Sequence, residues 1–320
     1  MNKAFVTGGS GFVGRNLIRR LRSEGVAVAA LARSEAAANS VAALGAVPVR
    51  GDLAEPQSME SGMQGCDVVF HAAATVEDWG PHELFWQINV VGTENALAAA
   101  RAAEVGCFVH VGTEAVYATG RDAMQGLNEQ RPLPDNPLPR YPLTKGEAER
   151  RVLAANSAAM RCVSVRPRLI WGRDDTSVLP KILAQVEAGK FVWPDHGRAL
   201  TSTCHVDNVC EGLWLAAQRG RGGEAYFVSD GEPRTYRDFL GRQMRAHGYA
   251  EPTKSVPLWL AARFARTAEW LWENLPLRGA PPVHRLMIEL GAKPVTVDDQ
   301  KARQELGYRP VIQVDEVLPR

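Results

Sequence analysis

The first half of the chain alternates short apolar runs with longer stretches whose apolar residues recur at helical spacing. Strands are predicted at Lys3–Thr7, 26–32, Val47–Arg50, Val68–His71, 108–112 and 162–165. Helices are predicted at 12–24, 56–64, 82–105 and 141–156. Parallel neighbours need a crossover, so strands alternating with helices predict a parallel sheet covered on both faces. The expected fold class is α/β with a doubly wound parallel sheet. The pattern loosens over 119–140, where prolines cluster before Tyr141; this stretch is expected to be a loop over the site. Further on, helices are predicted near 177–189, 207–219 and 236–248, a strand at 226–228, and a tryptophan-rich helix at 258–275. No repeat or low-complexity tract interrupts the series.

Composition narrows the class. The chain has 320 residues, enough for a large core. With 45% hydrophobic and 23% charged residues it has the makeup of a globular enzyme. A net charge of +1 with no basic stripe argues against a nucleic-acid partner. A strand-like run starts right after Met1-Asn2, leaving no room for a signal peptide, and no run of about 18 apolar residues exists, so no spanning helix is expected. The cytoplasm is the expected location. The five cysteines, Cys66, Cys107, Cys162, Cys204 and Cys210, include no C-x-x-C pair and are expected as buried thiols. Cys204 and Cys210 flank His205, but the other ligands zinc requires are missing, so no metal site is expected.

The candidate chemistry begins at Gly8-Gly9-Ser10-Gly11-Phe12-Val13-Gly14, between the first strand and the first helix. A helix N-terminus has unpaired N–H groups and partial positive charge, and glycine lets the backbone come close to a pyrophosphate. Gly8, Ser10, Gly11, Phe12, Val13 and Gly14 are the expected cradle of a dinucleotide. The second strand ends at Ala32-Arg33. A carboxylate at that end would select NAD, whereas Arg33 suits the 2′-phosphate of NADP. NADP is therefore the preferred cofactor, with NAD the other candidate. Asp52 and Leu53 close the third strand and are expected at the adenine; a turn aspartate is the competing reading. Ala72, Ala73 and Ala74 follow the fourth strand and are small enough to lie against the cofactor, while His71 reads as structural.

Tyr141 and Lys145 are four residues apart, which puts both on one helix face, and Pro142 suits a first helical turn. A phenol with an ordinary pKa of about 10 becomes a useful acid–base group beside an ammonium and a helix N-terminus. Thr113, just past the fifth strand, offers a hydroxyl to a substrate oxygen as charge develops. Thr113, Tyr141 and Lys145 are the expected catalytic set, with Lys145 also holding the nicotinamide ribose.

These motifs, in this order, resemble the extended short-chain dehydrogenase/reductase superfamily. The resemblance extends through Asn89-Val90-x-Gly92-Thr93 and Arg166-Pro167. The segments Arg140-Tyr141-Pro142-x-x-Lys145-x-x-Ala148-Glu149, His205-Val206-Asp207-Asn208-Val209 and Glu305-Leu306-Gly307-Tyr308-x-Pro310 are similar to its 3β-hydroxysteroid dehydrogenase-like branch, related to the NAD-dependent epimerases and dehydratases. The resemblance implies a Rossmann-type domain over 1–166 and a smaller C-terminal α/β substrate lobe over 167–320, with some segments returning to the main sheet. It assigns the acid–base role to Tyr141 and places Pro167 beside the nicotinamide. There are departures: many relatives carry two serines where this chain has Gly112-Thr113, and Ala118 follows Tyr117 where sugar epimerases usually have glycine.

For the substrate, Thr201 stands where nucleotide-sugar enzymes keep an arginine, which argues against a diphosphate. Thr75, Arg168, Ile170, Trp171 and Trp193 are the candidate substrate contacts, the last three as apolar walls whose competing role is core packing. The leading expectation is an NADP(H)-dependent oxidoreductase that interconverts a lipophilic ketone or aldehyde with its alcohol. A nucleotide-sugar epimerase or dehydratase with tightly held NAD is the alternative, and a non-catalytic dinucleotide sensor a remote one. Expected partners are a small lipophilic substrate and a second copy in a homodimer; the helix 258–275 is expected to pack on the substrate lobe, with a flap over the substrate or a membrane-surface contact as the competing readings.

Overall fold

The computed structural model describes residues 1–77 and 79–318. Seven strands form the central sheet: β1 (Lys3–Thr7), β2 (Ala27–Ala32), β3 (Val47–Arg50), β4 (Val68–His71), β5 (Cys107–Val111), β6 (Arg161–Pro167) and β7 (Glu224–Val228). Their spatial order is β7-β6-β5-β4-β1-β2-β3, all parallel. This is a Rossmann-type doubly wound sheet. The order reverses between β1 and β4, and the crevice beyond the carboxyl ends there is where such sheets bind ligands.

Side chains alternate across the sheet with period two. Ala4 and Val6 of β1, Val68 and Phe70 of β4, and Cys107 and Val109 of β5 face one apolar cluster with Leu17, Ile18 and Leu213. The intervening Phe5, Val69 and Phe108 face the opposite cluster with Met59, Leu97 and Val152. With both faces covered, the strands are apolar runs, which is why they stand out in the sequence. The helix Phe12–Ser23 buries Leu17, Ile18 and Leu21 and ends on Arg20 and Arg22, the charge its C-terminus favours.

Five elements depart from the sequence expectation. A helix spans Glu35–Ala42, capped by Ser34, whose hydroxyl accepts from Ala37 N at 3.2 Å. The predicted helix 82–105 contains a π-helical turn at Trp86–Val91. The proline-rich loop includes a strand, Met124–Leu127, that pairs with a second unforeseen strand, Val295–Val297. A short helix, Arg285–Gly291, packs against Leu258–Asn274. Met124–Leu127, Leu200–Thr201, Val295–Val297 and Arg234–Thr235 make up a small second sheet, so one segment from the first half joins it while Glu224–Val228 returns to the main sheet. No helix among the described residues is long and apolar enough to cross a membrane. All five cysteines are buried free thiols.

Candidate active site

The carboxyl ends of β1, β4 and β5 meet in register, Thr7 beside His71 and His71 beside His110. The glycine loop leaves β1 here. Gly8 has φ +68°, and a Cβ on it would lie 2.6 Å from Ala73 N. A Cβ on Gly14 would lie 2.1 Å from Gly8 O, so this glycine lets the helix start directly against the loop. Gly11 begins the helix with no side-chain cap, and the first turn carries no acid. Ser10 is exposed, Val13 half-buried and Phe12 buried. An uncapped, acid-free helix start over a cradle that any side chain would fill fits a dinucleotide pyrophosphate. Ala72, Ala73, Ala74 and Thr75 lie half-buried along the next strand end.

At the rim, Ala32 is buried and Arg33 exposed. Sequence reasoning missed Arg50, the register partner of Ala32, which is exposed and lies 3.4 Å from Glu35. Its position as the last residue of the third strand was the available signal. Asp52 makes a turn, its carboxylate accepting from Ala54 N at 3.0 Å, and Leu53 packs against Gly92.

A buried chain of hydrogen bonds ties the crevice to the helix Tyr141–Ala154. The Thr93 hydroxyl donates to Asn89 O at 2.6 Å, so it accepts from His71 Nε2 at 2.9 Å. His71 Nδ1 then accepts from the Thr7 hydroxyl at 2.8 Å, whose oxygen takes Ala73 N–H at 3.2 Å. His71 is thus satisfied as a neutral ring. Burial first, and the nearby Lys145 charge second, hold its pKa down at about 3. The π turn aims Asn89 at Thr75 N, 2.8 Å away, and at the Thr144 hydroxyl, 3.0 Å away. π turns often mark functional positions.

Tyr141 opens its helix half-buried, after Arg140 with φ +67°. Arg140 is pinned on three sides: its Nε donates to Gly80 O at 2.9 Å, its guanidinium covers the Trp79 ring at 3.9 Å, and it meets Glu273 at 3.3 Å. Lys145 is buried one turn on, donating to Val111 O at 2.7 Å and lying 3.1 Å from His110 Nε2. Burial lowers its pKa to about 8, against a smaller raising effect of Glu149. Thr113 is buried at the end of β5; its hydroxyl donates to Glu114 at 2.9 Å and accepts from Ala115 N at 3.2 Å. Gly112 is required beside it, since a Cβ there would lie 2.7 Å from Ser164 Oγ and 2.8 Å from Glu149 Oε2. Glu149 in turn pairs with Arg166, which donates to Tyr117 OH at 3.0 Å.

The substrate candidates divide. Thr75 borders the crevice through its bond to Asn89. Pro167 is buried at the end of β6, and Ile170 is half-buried. Arg168 is not available to a ligand: it pairs with Glu114 at 2.7 Å, donates to Tyr236 OH at 2.6 Å and also bonds Leu290 O. Trp171 and Trp193, 3% and 1% exposed, are core residues and form no open wall. Their indole N–H groups donate to Asp230 and to Pro252 O, both at 2.7 Å. Thr201 is buried, its hydroxyl donating to Ser202 O at 2.9 Å.

Residues 4–229 match the NAD dependent epimerase/dehydratase family. The chain belongs to that family. Within it the chain is an NAD(P)-dependent oxidoreductase of the extended short-chain dehydrogenase/reductase type, in the 3β-hydroxysteroid dehydrogenase-like branch. It is 48% identical over 306 residues to a 4-hydroxy-2-methyl-3-oxo-4-farnesyl-3,4-dihydroquinoline-1-oxide ketoreductase of Stigmatella aurantiaca, covering 96% of this chain and 91% of that one. It is 35% identical over 324 residues to a 2-alkyl-3-oxoalkanoate reductase of Stenotrophomonas maltophilia, covering 99% and 98%. Among solved structures, gox2253 superposes with TM-score 0.79 at 27% identity, over 97% of this chain and 94% of that one. The dTDP-glucose 4,6-dehydratase DesIV from Streptomyces venezuelae, solved with NAD and DAU bound, superposes with TM-score 0.76 at 23% identity, over 98% and 93%, a likeness of fold alone.

Proposed function

We propose that this family member is an NADPH-dependent ketoreductase acting on a lipophilic carbonyl compound that carries no nucleotide. The observation that carries the reading is Lys145, buried one turn after Tyr141 and held by Val111 O and His110 above the crevice. The cofactor would lie on the glycine loop, Ala72–Ala74 and Lys145, with Arg33 facing its 2′-phosphate, within the segment 1–166. The bound cofactor supplies the hydride. Tyr141 gives the carbonyl oxygen its proton, and the Lys145 ammonium favours the phenolate left behind. Thr113, whose proton goes to Glu114, is placed to accept from the alcohol hydroxyl of the product, and residues from 167 onward supply most of the substrate lobe.

Two relatives named for reducing farnesyl and alkyl ketones support the apolar substrate. So do the engagement of Arg168 within the fold and the threonine at 201. The test is a homologous series of 2-alkyl-3-oxo compounds reduced with NADPH. Each added methylene buried contributes about 0.8 kcal/mol, so kcat/KM is expected to rise several-fold per carbon until the pocket is full. Uridine and thymidine diphosphates are expected to leave Tm unchanged. A flat chain-length response together with stabilisation by a nucleoside diphosphate would overturn the reading in favour of a nucleotide-sugar epimerase or dehydratase.

A further inference from the structure

The helix Leu258–Asn274 turns only a narrow stripe inward: Ala265, Ala268 and Glu269 are buried. Its outer face is unusual for a protein surface. Trp259, Arg263, Arg266 and Trp270 recur at the i, i+4, i+7, i+11 spacing of one face. Trp259 is 68% exposed, Trp270 59% and Phe264 54%, with Leu260 beside them. Leu275, Leu277 and Arg278 extend the patch past the helix end, all exposed. Clustered large apolar side chains on a surface mark a contact with something else.

The charges say what that something is. The carboxylates of this region are spent internally: Glu269 on Arg285, Glu273 on Arg140 and Glu289 on Lys293. Arg263, Arg266 and Arg278 are exposed, and no ion pair is recorded for them among the described residues. Among the described residues the face is therefore aromatic and cationic with no free anion. Arginines interleaved with tryptophans suit the headgroup level of an anionic bilayer, where the indoles sit at the acyl boundary and the guanidinium groups reach phosphates. The helix is too short and too charged to span. The same face borders a cleft of about 410 Å³ that is also lined by Gly120, Arg121 and Leu138, and Leu138 lies three positions before Tyr141.

We propose that this face seats the protein on an anionic membrane surface. Trp259, Phe264 and Trp270 insert, Arg263, Arg266 and Arg278 bind lipid phosphates, and the cleft opens at the bilayer. The docking is independent of which substrate is reduced, because it is read without turnover. The test is co-sedimentation of the full chain with phosphatidylglycerol/phosphatidylcholine vesicles and with pure phosphatidylcholine vesicles, at low and high salt. Binding to the anionic vesicles is expected, weakened by salt and weak on the neutral ones. Each arginine is expected to contribute about fivefold to partitioning at low ionic strength, so Arg263→Gln with Arg266→Gln should lower it on the order of 20-fold. Trp259→Ser with Trp270→Ser should abolish it while leaving Tm and NADPH-induced stabilisation unchanged. If wild type fails to bind anionic vesicles at low salt, or binds neutral ones equally, the proposal is overturned whatever the variants do. It is equally overturned if sedimentation equilibrium finds a dimer that the tryptophan substitutions dissolve, since a second copy then covers the face.

Discussion

Thr113 has one hydroxyl proton, and the fold has already committed it to Glu114. Its oxygen also takes the Ala115 N–H, which leaves it one accepting position and no free proton. The Glu114 carboxylate is fixed by Arg168 on its other oxygen, so this arrangement is rigid. The threonine therefore accepts from a hydroxyl at the site more readily than it donates to a carbonyl. On the proposed mechanism, proton delivery falls to Tyr141. Tyr141→Phe is expected to lower kcat by about 10²–10⁴-fold, the usual worth of a general acid, with NADPH binding retained. Single-turnover kinetics together with the Tm shift on adding NADPH check this. A variant keeping most of its turnover would remove Tyr141 from the mechanism. The Arg140 peptide next door sits at φ +67°, where a non-glycine residue is strained, and its three contacts hold it there.

At the scale of elements, the proposed cofactor preference rests on the rim where β2 and β3 end together. Register pairs Ala32 with Arg50, so Arg33 and Arg50 flank one rim that has no carboxylate at the position of Ala32. On the proposed reading, a 2′-phosphate would meet the guanidinium groups of Arg33 and Arg50, the latter 3.4 Å from Glu35. NADPH is expected to be preferred over NADH in kcat/KM, and Arg33→Ala to shrink that ratio by about tenfold, the worth of roughly 1.4 kcal/mol. A ratio unmoved by the substitution would make Arg33 an ordinary surface residue. The elements that build this rim were legible because buried parallel strands are apolar runs and the glycine loop has fixed spacing. The helix Glu35–Ala42 was not, since it buries only Ala38 and Val41 and shows no apolar stripe. Met124–Leu127 is only four residues long and contains Gly126, and its pairing with Val295–Val297 depends on contacts far apart in sequence. Trp171 and Trp193 show the same limit for the site: a large apolar residue reads alike whether it lines a pocket or fills a core, and only the partners of its N–H decide. The π turn that aims Asn89 has no periodicity of its own to betray it.

Across the whole molecule, the crevice is supported by ionisable groups that the fold keeps dry. His71 and His110 are buried and held well below the ordinary histidine pKa by burial and by Lys145, His71 at about 3. Lys145 is lowered to about 8 by burial. In each case the unfolded chain binds a proton that the folded chain refuses, so stability rises with pH across the gap between the two values. For Lys145 the gain falls between about 8 and the unfolded value of about 10.4. For His71 the folded ring stays neutral while the unfolded one protonates below about 6.5, so stability is lost as pH falls from there toward 3. Between pH 6.5 and 5.0 the unfolded chain passes through the ordinary histidine value but not the ordinary carboxylate values, so histidines dominate the slope. Half-buried Glu129, whose pKa burial raises, is the carboxylate to watch. Over that interval His71 alone should cost about 1.6 kcal/mol by linkage, approaching about 1.4 kcal/mol per pH unit at its lower end. Urea unfolding of the full chain at pH 6.5, 6.0, 5.5 and 5.0 measures it. Wild type is expected to lose stability steeply, and His71→Gln, whose carboxamide can still bridge Thr7 and Thr93, to lose about 1.6 kcal/mol less over the same range. Equal slopes for the two proteins would mean that His71 protonates within the fold, and the neutral relay from Thr7 to Thr93 would have to be redrawn.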